Sequence, residues 1–154
     1  MVTRMELVAG SAPDILVLIG TDDRDAMGDR DRFEAYLSLG GGMDPTWLDL
    51  FADAVRTTTE LSLSDFLDAR IELGPTEDAT PTVERIDPAW ISAVATIPER
   101  SLDSITGRWI DRLEEELGPV ASDEKPWIRE LAGRLVVFCR DADRAPDVVF
   151  LWEL

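Results

Sequence analysis

The chain has 154 residues, 32 of them acidic and 15 basic, and its formal net charge at pH 7 is −17. It has no histidine and one cysteine, Cys139. Without histidine, neither a Ser-His-Asp or Cys-His nucleophile nor a histidine-ligated zinc site can be built. The charge also disfavours binding to nucleic acid or to an anionic membrane, and it favours a basic protein partner.

Length and hydrophobic content predict a single globular domain over residues 1–154, large enough to bury a core without disulfides. The apolar run at residues 5–9 is shorter than that of a signal peptide, and no stretch approaches the roughly 18 apolar residues of a membrane span. One cysteine cannot form an internal disulfide. We therefore expect a cytoplasmic protein that needs no cofactor. The sequence does not indicate an oligomeric state.

The N-terminal quarter of the chain predicts one strand and two helices. Residues 5–9 are apolar and predict an edge strand. Ser11 as N-cap and Pro13 in the first turn favour a helix over the run 15–19, although this run could equally be a buried strand. The next three segments are predicted to be a charged loop at 21–31, a short helix at 32–39 and a run of glycines at 40–42 that ends this helix.

The remainder of the chain predicts further helices with proline or serine at their starts. Asp44 as N-cap and Pro45 in the first turn begin one of them. The other helices are expected at 64–71, from Asp87-Pro88 to about 97, from Ser101 to Gly118, and at about 123–142. An exposed loop and two strands are expected at 74–81, 82–86 and 148–154. The predicted fold class is α+β, a helix-dominated single domain with a small sheet formed by short N-terminal, central and C-terminal strands.

Aromatic and sulfur-containing side chains mostly fall on apolar stripes of these predicted helices. We expect four tryptophans to pack in the core: Trp47, Trp90, Trp109 and Trp127. Trp152 would be exposed if the last strand lies at the edge of the sheet. Cys139 lies among apolar residues, which predicts a buried and unreactive thiol.

The segment from Asp23 to Glu34 partly matches a calcium-binding loop. Acidic residues occupy its first, third, ninth and twelfth positions, and Gly28 occupies the sixth. The candidate metal ligands are therefore Asp23, Asp25, Asp31 and Glu34. The fifth position is Met27, which has no side-chain oxygen, and three arginines lie within the loop. A solvated charged loop is the alternative interpretation.

Two other patterns indicate no chemistry of their own. Glu114, Glu115 and Glu116 occupy adjacent helical positions, which point about 100° apart, so we expect a solvated helix face and not a pair of catalytic acids. The glycines at 40–42 precede a helix but lack the lysine of a phosphate-binding loop. We predict no catalytic residue.

The C-terminal part of the chain, residues 82–154, resembles small bacterial proteins of uncharacterised families, described as domains of unknown function. The resemblance rests on four motifs: Asp87-Pro88-Ala89-Trp90, Gly107-Arg108-Trp109, Pro126-Trp127 and Val149–Leu154. Most of these residues are core residues. The resemblance therefore implies no catalytic residue and favours a non-enzymatic role.

Two functions from different classes follow. The first is a small acidic, non-enzymatic binding or inhibitor module, similar to an immunity protein, that covers a basic protein partner. The alternative is a carboxylate-based hydrolase or metal-dependent enzyme without histidine, which requires a pocket where two or more acids converge. Acidity that reflects only the proteome of the host is a third interpretation, and an even spread of acids over the surface would favour it.

Overall fold

The computed structural model describes residues 4–21, 23–40, 43–72 and 82–153. Within them the chain forms one five-stranded sheet, six α-helices and two short 3₁₀ turns. The strands are β1 Arg4–Gly10, β2 Ala35–Gly40, β3 Arg70–Glu72, β4 Thr82–Ile86 and β5 Asp147–Glu153. The helices are α1 Ala12–Gly20, α2 Thr46–Thr58, α3 Phe66–Ala69, α4 Pro88–Ala95, α5 Leu102–Leu117 and α6 Lys125–Ala142, and the 3₁₀ turns are Arg24–Gly28 and Glu99–Ser101. The predicted helix-dominated α+β fold with a small sheet is confirmed.

The sheet has the strand order β2-β1-β5-β4-β3, and its pairs are antiparallel. The two ends of the chain therefore pair at its centre, with Arg4 opposite Glu153 and Gly10 opposite Asp147. The prediction that residues 5–9 form an edge strand was wrong, because β1 lies between β2 and β5. Its residues Met5 to Gly10 are buried on both faces, as expected of an interior strand.

Helices cover both faces of the sheet, and alternate residues of each strand face different layers. On β5, Val148 and Phe150 join the larger core with α2, α4, α5 and α6. Val149 and Leu151 join a smaller core with α1. Because side chains alternate between the two faces of a strand, the sheet forms a middle layer between α1 on one side and α2, α4, α5 and α6 on the other.

Two helices start next to an aspartate whose side chain accepts a hydrogen bond from a backbone N–H of the first turn, as the sequence predicts. Oδ1 of Asp44 accepts a hydrogen bond from the Thr46 N–H at 2.8 Å, and Oδ1 of Asp87 accepts one from the Ala89 N–H at 2.9 Å. Ser11 and Ser101 precede their helices but form no side-chain cap. For α1 the partner comes from β5, because the Ala12 N–H donates to Oδ2 of Asp147 at 3.0 Å.

Two predicted helices were wrong in whole or in part. The segment 32–39 contains the greater part of β2, since Ala35, Leu37 and Leu39 alternate with polar or half-buried side chains and face the core. Only α3 forms within 64–71, and the chain then enters β3. The predicted strand at 82–86 is confirmed. Two other predicted segments, the glycines at 41–42 and the loop at 74–81, lie outside the described residues.

The tryptophans divide between the core and the surface. Trp90 and Trp109 are buried, and Trp47 packs partly buried against them. Trp127 was predicted in the core but is 40% exposed, because it lies in the first turn of α6, on the solvent side. Trp152 is partly buried on an interior strand, where its Nε1 donates to Oε1 of Glu84 at 2.9 Å.

Candidate functional site

One layer of the molecule, residues 12–21 and 23–34, is both firmly packed and rich in carboxylates; we call it the acidic layer. Its apolar side chains Ile15, Leu18, Met27 and Phe33 lie in the smaller core, against the sheet. The Asp23 N–H donates to the Leu18 carbonyl at 2.9 Å, and the Glu34 N–H donates to the Ala9 carbonyl at 3.0 Å. The layer is therefore held to the sheet by its apolar side chains and by the hydrogen bond from Glu34 to Ala9, and the bond from Asp23 to Leu18 joins two parts of the layer itself.

The carboxylates of the acidic layer face solvent. Six of them are exposed and form no ion pair with any described residue: Asp14, Asp23, Asp25, Asp29, Asp31 and Glu34. Two arginines of the layer make other contacts: Arg30 pairs with Asp141 on α6 at 3.5 Å, and the Arg32 guanidinium lies 5.6 Å from the ring centroid of Phe33. The result is an exposed negative surface on one packed segment.

Carboxylates on the other side of the sheet, which α2, α4, α5 and α6 cover, more often form ion pairs with arginine. Arg112 contacts Asp53 at 3.0 Å and Glu115 at 2.6 Å, and Arg129 contacts Asp103 at 2.6 Å. Glu115 and Glu116 are exposed, as the sequence predicts, although Arg112 binds both. Exposed acids without an ion pair to a described residue also occur outside the layer: Glu60, Asp68, Asp87, Glu99, Asp111, Asp123, Glu124 and Asp143. Exposed acids without an ion pair therefore lie on both sides of the sheet, and the acidic layer is the part where they are most closely spaced along the chain.

The four candidate calcium ligands all belong to the acidic layer, but they occupy different local structures. Asp23 precedes the 3₁₀ turn Arg24–Gly28, Asp25 lies within it, Asp31 follows it, and Glu34 precedes β2. Met27, at the fifth position of the loop, is fully buried in the smaller core. In the part of the chain that the structure describes, no three His, Cys, Asp or Glu side chains are arranged to hold a metal ion. Calcium binding by this loop stays a prediction that titration with calcium tests.

A buried carboxylate on the α1 side of the sheet was not anticipated from the sequence. Glu6 on β1 is 1% exposed, and its Oε2 accepts hydrogen bonds from the Tyr36 hydroxyl at 2.6 Å and from Nη2 of Arg4 at 3.3 Å. Nε of Arg4 pairs with the other carboxylate oxygen. Burial, together with the hydrogen bond to Glu6 and its charge, raises the pKa of Tyr36 to about 12. A phenol with this pKa stays a hydrogen-bond donor at neutral pH, so the group stabilises a buried charge and supplies no base.

A second polar cluster lies on the side of the sheet that α2, α4, α5 and α6 cover, at β3 and β4. Oε1 of Glu84 accepts a hydrogen bond from Nη1 of Arg70 at 3.2 Å, as well as the one from Trp152. The guanidinium of Arg70 lies 5.7 Å from the ring centroid of Phe66 and 5.9 Å from that of Phe150. These contacts tie β3 to the core by a cation–π and ion-pair network.

Other titratable groups offer no nucleophile or acid pair. Cys139 is buried as predicted, and burial raises the pKa of its thiol, so the thiolate is disfavoured. Lys125 is exposed at the start of α6. Burial raises the pKa of Asp49, which the hydrogen bond from the Leu67 N–H at 2.7 Å partly offsets. That carboxylate holds the first turn of α3 in place.

Comparison of the chain with protein-family models, with curated proteins and with solved structures finds no match. The resemblance of residues 82–154 to small bacterial proteins therefore stays a prediction. Among the described residues, no helix combines the length and the apolar character needed to cross a bilayer.

Proposed function

We propose that the chain is a non-enzymatic binding module, similar to an immunity protein, whose acidic layer covers a basic surface of a protein partner. One observation carries the proposal: six exposed carboxylates without an ion pair to a described residue lie on one packed segment. A lysine or arginine of a partner can approach such carboxylates without displacing an arginine of the chain. The net charge of −17 would also steer a basic protein toward the chain at low salt.

The rigidity of the acidic layer supports the same proposal. Met27 and Phe33 are buried beneath the charged positions, so the backbone that carries these carboxylates is held before a partner arrives. Binding then requires little ordering of the layer, which lowers its entropic cost. The proposal includes a cytoplasmic location, supported by the single buried cysteine, and a bacterial source, supported by the resemblance of residues 82–154.

The enzymatic alternative has less support. Three carboxylates, Glu99, Glu130 and Asp141, line the groove between β2 and α6. Glu130 contacts Arg134 at 2.6 Å and Asp141 contacts Arg30 at 3.5 Å. Only Glu99 of the three lacks an arginine partner among the described residues, whereas hydrolysis by carboxylates alone needs two acids with separate roles.

Affinity capture with matched charge variants tests the proposal. The immobilised chain is exposed to an extract of the cells that produce it, and each captured protein is then purified and titrated at several salt concentrations. One variant neutralises the acidic layer by Asp23→Asn, Asp25→Asn, Asp31→Asn and Glu34→Gln. The control variant removes the same number of charges elsewhere by Glu60→Gln, Asp68→Asn, Asp111→Asn and Asp123→Asn.

We expect the wild-type chain and the control variant to capture the same basic protein, with an affinity that falls as salt rises. The variant of the acidic layer should bind that protein about tenfold more weakly or worse. Equal weakening by both variants would assign the binding to net charge and not to the layer. Capture of no basic protein, or an affinity insensitive to salt, would overturn the proposal.

A further inference from the structure

The two edges of the sheet differ in how they are protected against pairing with another strand. Edge strands are commonly kept short or carry charges or proline. The β3 edge follows this rule, since it has three residues, two of them the charged Arg70 and Glu72. The β2 edge has six residues, Ala35-Tyr36-Leu37-Ser38-Leu39-Gly40, without a charge or a proline. Within the described residues its outer side pairs with no strand.

A groove runs between this unprotected strand and α6. Residues 35–38 form one wall, α6 forms the other, and the groove has a volume of about 740 Å³, within the range of about 300–1,000 Å³ typical of ligand sites. A depression of about 130 Å³ beside Trp127 shares Ser38, Glu130 and Arg134 with it. Two large apolar side chains are exposed here, Val137 at 53% and Trp127 at 40%. Exposed apolar surface beside a free strand edge is typical of sites that bind extended peptides.

The groove has one more arginine than carboxylates in its lining, although the chain is strongly acidic, and one of these arginines, Arg129, pairs with Asp103 outside the lining at 2.6 Å. Four arginines line it, against three carboxylates: Arg30, Arg129, Arg134 and Arg140, with Glu99, Glu130 and Asp141. Arg140 donates to the carbonyls of Ala95 and Ile97 at 3.2 and 2.6 Å and forms no ion pair with a described residue. The pair of Arg134 with Glu130 is exposed and lies within one helix, so a partner's carboxylate can replace Glu130 at little cost.

We propose that an extended segment of a partner protein binds in this groove as a sixth strand, paired with β2. Its apolar side chains would contact Val137 and Trp127, and a carboxylate would contact Arg140 or Arg134. Val137 and Trp127 are ten residues apart on α6, about 15 Å along its axis, which matches about five residues of extended chain. The site adjoins the acidic layer at Arg30, but none of the exposed carboxylates of that layer lines the groove, so this proposal does not depend on the proposed contact of the layer.

A second copy of the chain is a weaker candidate for the occupant. Two chains of net charge −17 repel each other, and symmetric pairing of β2 with β2 would bring each set of arginines toward the other. A partly apolar segment of a different protein that carries one or two carboxylates is repelled less than a whole chain of charge −17, and it brings no second set of arginines to the groove. Charge complementarity therefore favours the partner segment.

The first test uses a phage-displayed library of random decapeptides, selected against the immobilised full-length chain. We expect the recovered peptides to alternate apolar with other residues and to carry Asp or Glu. The strongest is then synthesised in two forms, each N-methylated at alternate amides, in opposite registers. Addition to a strand uses only every second N–H of the peptide, so one form should lose binding and the other should keep it.

Variants of the chain locate the site. Val137→Glu places a negative charge in the groove, and Val17→Glu makes the same change at a valine of α1 that is 62% exposed. Both positions face solvent, so both variants should fold, which circular dichroism and thermal unfolding check. We expect Val137→Glu to weaken peptide binding about tenfold or more and Val17→Glu to change it less than about twofold.

Four results would overturn the proposal. They are the absence of enriched peptides, equal binding to both variants, the same effect of N-methylation in both registers, and enrichment of basic instead of acidic peptides. Sedimentation equilibrium supplies a further check. A dimer of the wild-type chain that Val137→Glu dissociates would assign the groove to a second copy, and would overturn the assignment to a partner segment.

Discussion

The hydroxyl of Tyr36 lies 2.6 Å from Oε2 of Glu6 and donates a hydrogen bond to a carboxylate that is almost fully buried in an interior strand. The two residues belong to adjacent strands, β2 and β1, and Arg4 supplies the compensating positive charge. Removing one partner of a buried charge costs about 3–5 kcal/mol when the charge is left uncompensated. Tyr36 and Arg4 therefore make a negative charge tolerable next to apolar β5.

The titration of Tyr36 provides the first prediction. It is the only tyrosine of the chain, so phenolate absorbance in the near ultraviolet reports on this residue alone. Because burial and Glu6 raise its pKa from 10.0 to about 12, we expect the folded protein to show no phenolate signal until well above pH 10. Glu6→Gln removes the negative charge and should lower the pKa. Ionisation of the folded protein near pH 10 would contradict the geometry.

The same shift makes stability depend on pH in a defined window. The phenol is held in its neutral form by the folded state, so its contribution is complete below pH 10, the unfolded value, and is lost as pH rises toward about 12. Urea unfolding should therefore show a steeper loss of stability above pH 10 for the wild-type chain than for Tyr36→Phe. Parallel pH profiles of the two proteins would contradict this prediction.

The reactivity of Cys139 provides the second prediction. The thiol is buried and its pKa is raised by burial and, to a smaller extent, by the charge of Asp143. We expect the native protein to resist a disulfide-exchange reagent at neutral pH and to react with one equivalent in denaturant. Cys139→Ala should be tolerated better than Cys139→Ser, which buries a hydroxyl at a cost of about 1–3 kcal/mol. Rapid labelling of the native protein would show that the helix opens around this residue.

The sequence predicted the elements whose signals are local. Asp44 and Asp87 stand at their helix starts with the expected hydrogen bonds, and α5 and α6 follow their apolar stripes. The strand β2 was missed because the pattern of six residues alone is compatible with either a helix or a strand. Its alternating side chains favour a strand only when β1 is available as its hydrogen-bonding partner.

The acidic layer and the groove between β2 and α6 also differ in how far the sequence alone predicts them. The carboxylates of the acidic layer are close in sequence, so the segment 23–34 could be singled out beforehand, although not the burial of Met27 that shapes it. The pairing of Glu6 with Tyr36 and the groove between β2 and α6 join residues 30 to about 100 positions apart. Their formation depends on strand register and on helix packing, which no local pattern specifies.

Trp109 provides the third prediction, on stability. Its side chain is fully buried, its Nε1 donates to the Trp47 carbonyl at 2.9 Å, and the ring of Phe51 packs against it at 5.0 Å. Trp109→Ala should lower the free energy of unfolding by about 3–5 kcal/mol. Trp127→Ala, at a half-exposed tryptophan that packs edge-to-face on Trp47, is the matched control and should cost much less in urea unfolding. Equal losses would mean that Trp109 is not the centre of the α2–α5 contact.

Arg112 provides the fourth prediction, because one guanidinium binds three carboxylates. It contacts Asp53 on α2 at 3.0 Å and two residues of its own helix, Glu115 at 2.6 Å and Glu116 at 3.4 Å. Arg112→Ala removes these contacts and leaves the three carboxylates, among the described residues, with only the longer contacts of Asp53 with Arg56 at 3.4 Å and of Glu115 with Arg108 at 3.7 Å, in a chain already at −17. We expect a loss of about 1 kcal/mol in urea unfolding at low salt.

Salt distinguishes this network from a simple surface pair. The repulsion among Asp53, Glu115 and Glu116 in the variant is screened as the Debye length falls from about 10 Å at 0.1 M to about 3 Å at 1 M. The loss caused by Arg112→Ala should therefore shrink as salt rises. Arg134→Ala removes only the pair with Glu130 and should cost no more than about 0.5 kcal/mol at low salt. If the two variants lose the same stability and salt affects neither, Arg112 links α5 to α2 by packing of its alkyl chain and not by charge.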